Sequence, residues 1–322
     1  MDKKACKAIL KKIKQYDTIT IYGHINPDCD CYGSSIGLRE IIRDNFKNKK
    51  VYALGFGPDY MFERLSRYDE VSDDVIKESL AIIVDCSEIA RISEQRIKLA
   101  KEIIKIDHHI ESVPFEGTIK WVDNGAIAAC QMIAEFALHY HLKISNLAAE
   151  ALYLGICTDS GRFRYAPTNE RTHYVVAKLY EIGINPKTMF DILYQSDANV
   201  VKYQALLITK FKQTEHGVIY CFADPKDYEQ YDLTFDKISK NVNVLGNIKG
   251  CPIWILMTRS PEGFIRCEFR SQTLNIQKIA AKYGGGGHRC ASGARLDNWS
   301  WDECMKIIND LDDLAKRGDD GE

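Results

Sequence analysis

Several features that would settle a class early are missing from this 322-residue sequence. It has no long apolar run: the richest stretch, LAIIV at 80–84, is far too short to cross a bilayer, which takes about 20 apolar residues. No membrane partner is therefore expected. The N-terminus, MDKKACKAILKKIKQYD, is amphipathic and lysine-rich but lacks the apolar stretch of a secretory signal. The eleven cysteines form no CxxC pair and no compact framework, so they read as reduced thiols, neither disulfides nor a structural zinc site. These omissions together give a cytoplasmic location as the expectation. A basic balance is missing too. The formal net charge of −2 argues against a broad grip on long duplex nucleic acid but leaves room for a short anion in a local basic pocket. There is no internal repeat and no low-complexity tract, apart from the acidic tail DDGE.

What is present is ordinary for a globular protein: 45% apolar and 27% charged residues, with length enough for about two domains. After the first helix, the β-branched run Thr18 to Tyr22 reads as a strand. It is followed by a helix from about Ser34 to Phe46 and a strand at 51–54. LAIIVDC (80–86) reads as a strand buried on both faces of a parallel sheet. A charged helix is expected at roughly 89–101, then a strand, EIIKI, at 102–106. This alternation predicts an α/β domain with a doubly wound, mainly parallel sheet. From about 125 to 213 the pattern is mainly helical. Beyond it, strands near 217–223, 252–259 and 264–270, with helices near 275–282 and 300–314, predict a smaller α+β C-terminal domain. The boundaries read as a first domain over 1–190, a linker helix over 191–215 and a second domain over 216–322.

The acids and histidines are placed selectively. His24, Asp28 and Asp30 follow the first strand in HINPDCD, Asp85 follows LAIIV, and Asp107, His108 and His109 follow EIIKI. Ligands of an open parallel sheet bind beyond the carboxyl ends of its strands, so three strands deliver seven such side chains to one edge. Asp159, in GICTDSG, ends a helical segment and could complete the ring. Carboxylates with imidazoles favour manganese, magnesium or zinc. Two such ions about 3.5–4 Å apart can clamp the attacking and leaving oxygens of a phosphoryl group, with an aspartate as the natural bridging ligand. No activated Ser or Cys nucleophile is evident. Each acid alone also has a plainer reading, as a helix N-cap, and the histidine pair as a packed or surface pair.

HINPDCDCYGSS, IIVDCSE, IKIDHHIES and GICTDSGRFRY resemble, in order, the four motifs of the DHH phosphoesterase superfamily. FRSQTLNIQKIAAKYGGGGHRCASGA resembles the nucleotide-binding part of the DHH-associated domain. Size and layout are similar to the RecJ-like group that includes NrnA-type oligoribonucleases and pAp phosphatases. The resemblance implies two divalent cations, manganese first, with magnesium or another divalent ion open. One would be held by His24, Asp28 and Asp85, and the other by Asp30, Asp85, His108 and Asp159. Asp85, Asp107, His108 and His109 would form the catalytic group, with His109 facing the substrate phosphate and a bridging water or hydroxide as nucleophile. Arg270, Ser271, Gly285, Gly286, Gly287 and His288 would contact substrate. Backbone N–H groups of the glycine run are expected to form an anion-binding nest. Arg162 and Arg164 are either phosphate contacts or exposed ion pairs.

The sequence departs from the family at Cys29 and Cys31, which read as small buried side chains, with redox sensitivity of the loop as the other reading. AIAACQM also lacks the hydroxyl residues of relatives, which argues against phosphate at that helix N-terminus despite its dipole. The implied activity is hydrolysis of phosphate esters in short oligoribonucleotides or dinucleotides, pApA or pAp. A cyclic-dinucleotide phosphodiesterase and a non-catalytic nucleotide sensor are the alternatives, and a homodimer is left open.

Overall fold

The computed structural model describes residues 1–57, 65–109, 117–165, 167–238 and 241–318, so the acidic tail and the end of the IKIDHHIES motif lie outside the described residues. The chain forms two compact units, Met1–Gln195 and Ser196–Glu322.

In the first unit, α1 (Lys3–Gln15) starts where the Asp2 carboxylate accepts the N–H groups of Lys4 and Ala5. Then come β1 (Thr18–Tyr22), α2 (Cys29–Asn45), β2 (Lys50–Leu54), a short α3 (Asp73–Lys77), β3 (Leu80–Val84), β4 (Glu102–Asp107) and β5 (Ile119–Val122). The five strands are all parallel in the order β2-β1-β3-β4-β5. Strand parity sorts the side chains. Ile19, Ile21, Leu80, Ile82, Val84, Ile104 and Ile106 enter one core, while Tyr22, Ala81 and Ile83 enter another on the opposite face. The sheet is thus covered on both sides, as a doubly wound fold requires. The remaining helices among the described residues of this unit are α4 (Ala129–His139), α5 (Asn146–Asp159), α6 (Glu170–Ile182) and α7 (Pro186–Tyr194).

Two features of this unit bear on the site. The strand order reverses between β1 and β3, and the crevice at such a switch point is where open sheets bind ligands. Helices α2 and α5 also pack closely enough that a Cβ at Gly33 would lie 2.3 Å from the Ala151 carbonyl oxygen. One at Gly155 would lie 2.8 Å from Asp30 Oδ1. Glycine at both positions lets the helix carrying Asp30 approach the helix ending in Asp159.

The charged helix expected at 89–101 is absent: the segment forms two short 3-10 turns, Ile89–Arg91 and Gln95–Leu99. Its helical propensity is overridden by tertiary pairing. Ser93 N–H donates to Gly23 O, Ile25 N–H donates to Arg91 O, and Ile92 is buried against the other sheet face. Strand β5 was not anticipated, because only IKWV forms it.

The second unit begins with α8 (Ala198–Lys210), which buries Tyr203 and Leu207. It continues with β6 (Lys212–Gln213), β7 (Val218–Ala223), α9 (Pro225–Glu229), α10 (Phe235–Ile238), β8 (Ile253–Arg259), β9 (Ile265–Ser271), α11 (Gln277–Lys282), β10 (Gly286–His288), β11 (Ala291–Leu296) and α12 (Trp301–Arg317). Its six-stranded sheet runs β10-β11-β9-β8-β7-β6, parallel only between β7 and β8. Ile253, Ile255 and Met257 of β8 meet Cys304, Ile307 and Leu311 of α12, while Trp254 and Leu256 face Tyr203 and Leu207 of α8.

Candidate metal centre

Beyond the carboxyl ends of β1, β3 and β4, the predicted acids and histidines converge. His24 Nε2 lies 3.6 Å from Asp85 Oδ2 and 3.8 Å from Asp28 Oδ1. His108 Nε2 lies 3.4 Å from Asp85 Oδ1, 3.4 Å from Asp159 Oδ2 and 3.7 Å from Asp30 Oδ2. Asp85 therefore turns one oxygen to each histidine. It is 1% exposed and holds φ at +51°, a left-handed conformation that is unfavourable for a non-glycine residue and concentrates at functional sites.

The imidazoles are oriented from behind. His24 Nδ1 is 2.8 Å from Ile25 O, and His108 Nδ1 is 3.3 Å from Ala126 O. A carbonyl can only accept, so Nδ1 carries the proton in both and Nε2 is the atom presented to the carboxylates. That is the usual arrangement of a metal-ligating histidine. His109 is turned the other way: its Nδ1 donates to Asp107 Oδ1 at 2.9 Å and lies 3.5 Å from Asp85 Oδ1. Its Nε2 is left on the far side of the ring.

Two of the carboxylates have structural duties as well. Asp28 Oδ1 accepts the N–H groups of Asp30 and Cys31 and so caps α2. Asp30, fully buried, accepts Ala129 N–H at 2.7 Å and Cys130 N–H at 2.9 Å. The α4 N-terminus, which has no capping side chain of its own, is thus served by a carboxylate from α2. This agrees with the sequence-based argument against phosphate there and supplies what that argument lacked: the group that occupies the position instead.

The electrostatics are unbalanced among the protein groups alone. Burial, and then Asp85, raises the Asp30 pKa; burial, and then Asp30, raises Asp159 well above its ordinary value. Burial opposes a charge on His24, but Asp28 and Asp85 outweigh it and raise its pKa. Burial likewise opposes a charge on His108, but Asp85, Asp30 and Asp159 together push it up to about 10. Asp30, Asp159, His24 and His108 thus all bind protons more tightly, as expected where buried negative charge exceeds the cations facing them. Asp85 Oδ1 and His108 Nε2 are also buried with no hydrogen-bond partner among the described residues. The donor set fits hard or borderline divalent cations, which would supply both the missing charge and the missing partners.

Cys31 and Lys105 add contacts not anticipated from the sequence. Cys31 Sγ accepts His24 N–H at 3.2 Å and, with His24 and Asp85, forms a group close enough to share an ion. Burial raises its thiol to about 12. Cys29 is buried, as expected of a small core residue. Lys105 Nζ lies 3.6 Å from Asp107 Oδ2. A lysine two positions before Asp107 in an apolar strand was the available signal, since strand parity puts both on one face. Arg162 donates to the Tyr194 hydroxyl and Arg164 to Gly161 O.

In the second unit the glycine run is not an open nest. Gly284 N–H donates to Ala281 O and Gly285 N–H to Ala280 O, closing the end of α11. Gly286 to His288 then form an edge strand paired with β11. The expectation fails for the first two N–H groups because the helix before them takes both as its C-terminal cap. Arg270 Nη1 donates to Phe269 O at 2.8 Å, and Arg270 pairs directly with Ala291 across β9 and β11. The Ser271 hydroxyl donates to Leu274 O at 2.6 Å. The His288 side chain lies outside the described residues.

Comparison with known proteins follows the same division. Residues 18–156 match the DHH family, N-terminal domain, and residues 210–317 match the DHHA1 domain. The chain is 35% identical over 311 residues to the bifunctional oligoribonuclease and PAP phosphatase NrnA of Bacillus subtilis, covering 96% of this chain and 98% of that one. It is also 35% identical to the Mycoplasma genitalium protein of the same name, over 92% of this chain and 94% of that one. Its fold matches the crystal structure of an exopolyphosphatase-related protein from Bacteroides fragilis, with a TM-score of 0.85 at 22% identity over 97% of this chain and 98% of that one. With two ordered domain matches and full-length relatives at this identity, the chain belongs to the DHH family and carries a DHHA1 domain after its DHH domain.

Proposed function

We propose that this chain is a divalent-metal-dependent phosphoesterase that hydrolyses short nucleotides: oligoribonucleotides of a few residues, pApA or pAp. The observation that carries the reading is the convergence of Asp30, Asp85 and Asp159 on His108 Nε2, with Asp85 reaching His24 through its second oxygen. The names of the full-length relatives support the same substrate class.

His24, Asp28 and Asp85 would hold one cation, and Asp30, Asp85, His108 and Asp159 the other, with manganese the first candidate and magnesium the second. When bound, such a pair supplies a water-derived nucleophile at neutral pH and neutralises charge developing on phosphoryl oxygens. The residues do the rest. Carbonyl contacts to His24 and His108 fix which nitrogen each presents. The α4 N–H groups hold Asp30 in one orientation. His109, tied to Asp107 through Nδ1, would turn the other edge of its ring to a substrate phosphate. Arg270, Ser271 and the backbone from Gly285 to His288 would be the second unit's nucleotide contacts, with Gly286 and Gly287 allowing close approach along the sheet edge.

Release of AMP from pApA, and of AMP and phosphate from pAp, should require manganese or magnesium and stop on chelation. Metal-bound protein that turns over none of these, nor any other short oligonucleotide, would instead favour a nucleotide sensor on this fold.

A further inference from the structure

Among the described residues, Lys105 is the one lysine the fold buries completely, at 1% exposed. It sits on β4 two positions before Asp107, so the pleat sends both side chains to the same face. An ammonium removed from water is costly unless it is paired. Lys105 Nζ lies 3.2 Å from Ser87 O, in the loop that follows Asp85, and 3.6 Å from Asp107 Oδ2. That oxygen is buried and has no hydrogen-bond partner among the described residues. The other oxygen, Oδ1, accepts from His109 Nδ1 at 2.9 Å and from His109 N–H at 3.2 Å. A row of contacts therefore runs from the Asp85 loop through the buried Lys105 and Asp107 to the half-buried His109.

We propose that Lys105 is a positioning residue for His109. Its ammonium holds the Asp107 carboxylate from the Oδ2 side, keeps Oδ1 on His109 Nδ1–H, and so directs Nε2 away from the acid cluster. The inference rests on the reading of His109 as the group facing the substrate phosphate. Without the ammonium, Asp107 would keep a buried, uncompensated oxygen, and rotation about its terminal torsion would compete with the His109 contact. Lys105 also joins the Asp85 loop to the Asp107 carboxylate, linking two motifs that reach the site from different strands.

The test uses the full chain loaded with Mg²⁺, in Lys105→Met and Lys105→Gln variants, with Lys105→Arg as the charge-retaining control. The uncharged variants should lose kcat by about 10–100-fold, the range for groups that support a site residue from behind. KM and Mg²⁺ affinity should stay within about twofold, since neither a metal ligand nor a binding contact is removed. Lys105→Arg should recover most of kcat. Histidine ¹⁵N shifts should show Nδ1 of His109 protonated in the wild type and a changed nitrogen pattern in the uncharged variants. Combined with Asp107→Asn, Lys105→Met should cost nothing further.

Unchanged kcat in the uncharged variants, an unchanged His109 nitrogen pattern, or a full multiplicative loss in the double variant would overturn the proposal. So would a wild-type His109 protonated only at Nε2, a result that needs no variant to fold. Wild-type protein that hydrolyses no short nucleotide would defeat the reading of the site, while the nitrogen shifts would still decide what Lys105 does.

Discussion

The acid cluster of the first unit and the glycine run of the second both fall in the motifs that resemble the family's, but they are built in opposite ways. The cluster is made of side chains aimed from strand and helix ends, several of them held by backbone groups behind: Asp28 on the α2 N–H groups, Asp30 on those of α4, and His24 and His108 on carbonyls. The glycine run is made of backbone, and neighbouring backbone claims part of it first, through the α11 cap and the β11 pairing. A side-chain site can be filled without competing with secondary structure. A backbone site has to share its donors with the elements on either side.

The largest effect expected from breaking this contrast is in the cluster. Asp107→Ala/His108→Ala should abolish turnover of short nucleotides while far-UV circular dichroism stays native; undiminished turnover would contradict the site assignment. A smaller but still large effect should follow from Gly33→Ala, which touches no ligand. Its Cβ would lie 2.3 Å from Ala151 O, a backbone atom, so α2 and α5 must separate. Moving Asp30 relative to Asp159 by about 1 Å should cost on the order of 100-fold in kcat/KM. Normal activity in that variant would show the helix pair to be more yielding than its packing implies.

The glycine run gives a sharper, milder test, because its members differ. A Cβ at Gly285 would lie 2.1 Å from Gly293 O, so Gly285→Ala should destabilise the second unit by about 1–3 kcal/mol, read by denaturant unfolding. At Gly286 a Cβ meets nothing within 4 Å, so Gly286→Ala should keep stability to within about 0.5 kcal/mol. A raised KM for short nucleotides in that folded variant would then report a ligand contact; an unchanged KM would remove Gly286 from the substrate surface.

The smallest effect concerns acid stability. Burial tends to raise the Asp123 carboxyl, but Arg171, 2.9 Å away, holds it below its ordinary value. A depressed carboxyl contributes stability that is present above its unfolded pKa and lost as pH falls through the folded one. Asp123→Asn should therefore lower Tm at neutral pH and flatten the decline of Tm on the acid side. Parallel Tm–pH curves for variant and wild type would show that the pair contributes nothing measurable.

Legibility followed the same contrast. The α/β class and the strands read at 80–86 and 102–106 were legible because short isoleucine-rich runs leading into aspartate leave few alternatives. The 89–101 segment was misread because its charge pattern suits a helix while Ser93 and Ile92 are recruited by the β1 end. The burial of Lys105 is set by packing across the sheet and is not visible in composition.

By itself, the sequence determined which atoms could do chemistry, and that strand ends would deliver them to one edge, since period-two alternation and chain direction leave the carboxyl ends facing the same way. Only the tertiary structure decided how each group is held: that Asp85 divides its oxygens between two histidines, that Asp30 serves α4 as well, and that Lys105 backs Asp107. Those arrangements depend on contacts between residues tens of positions apart, whose distances are set by packing, and no local pattern in the chain encodes them.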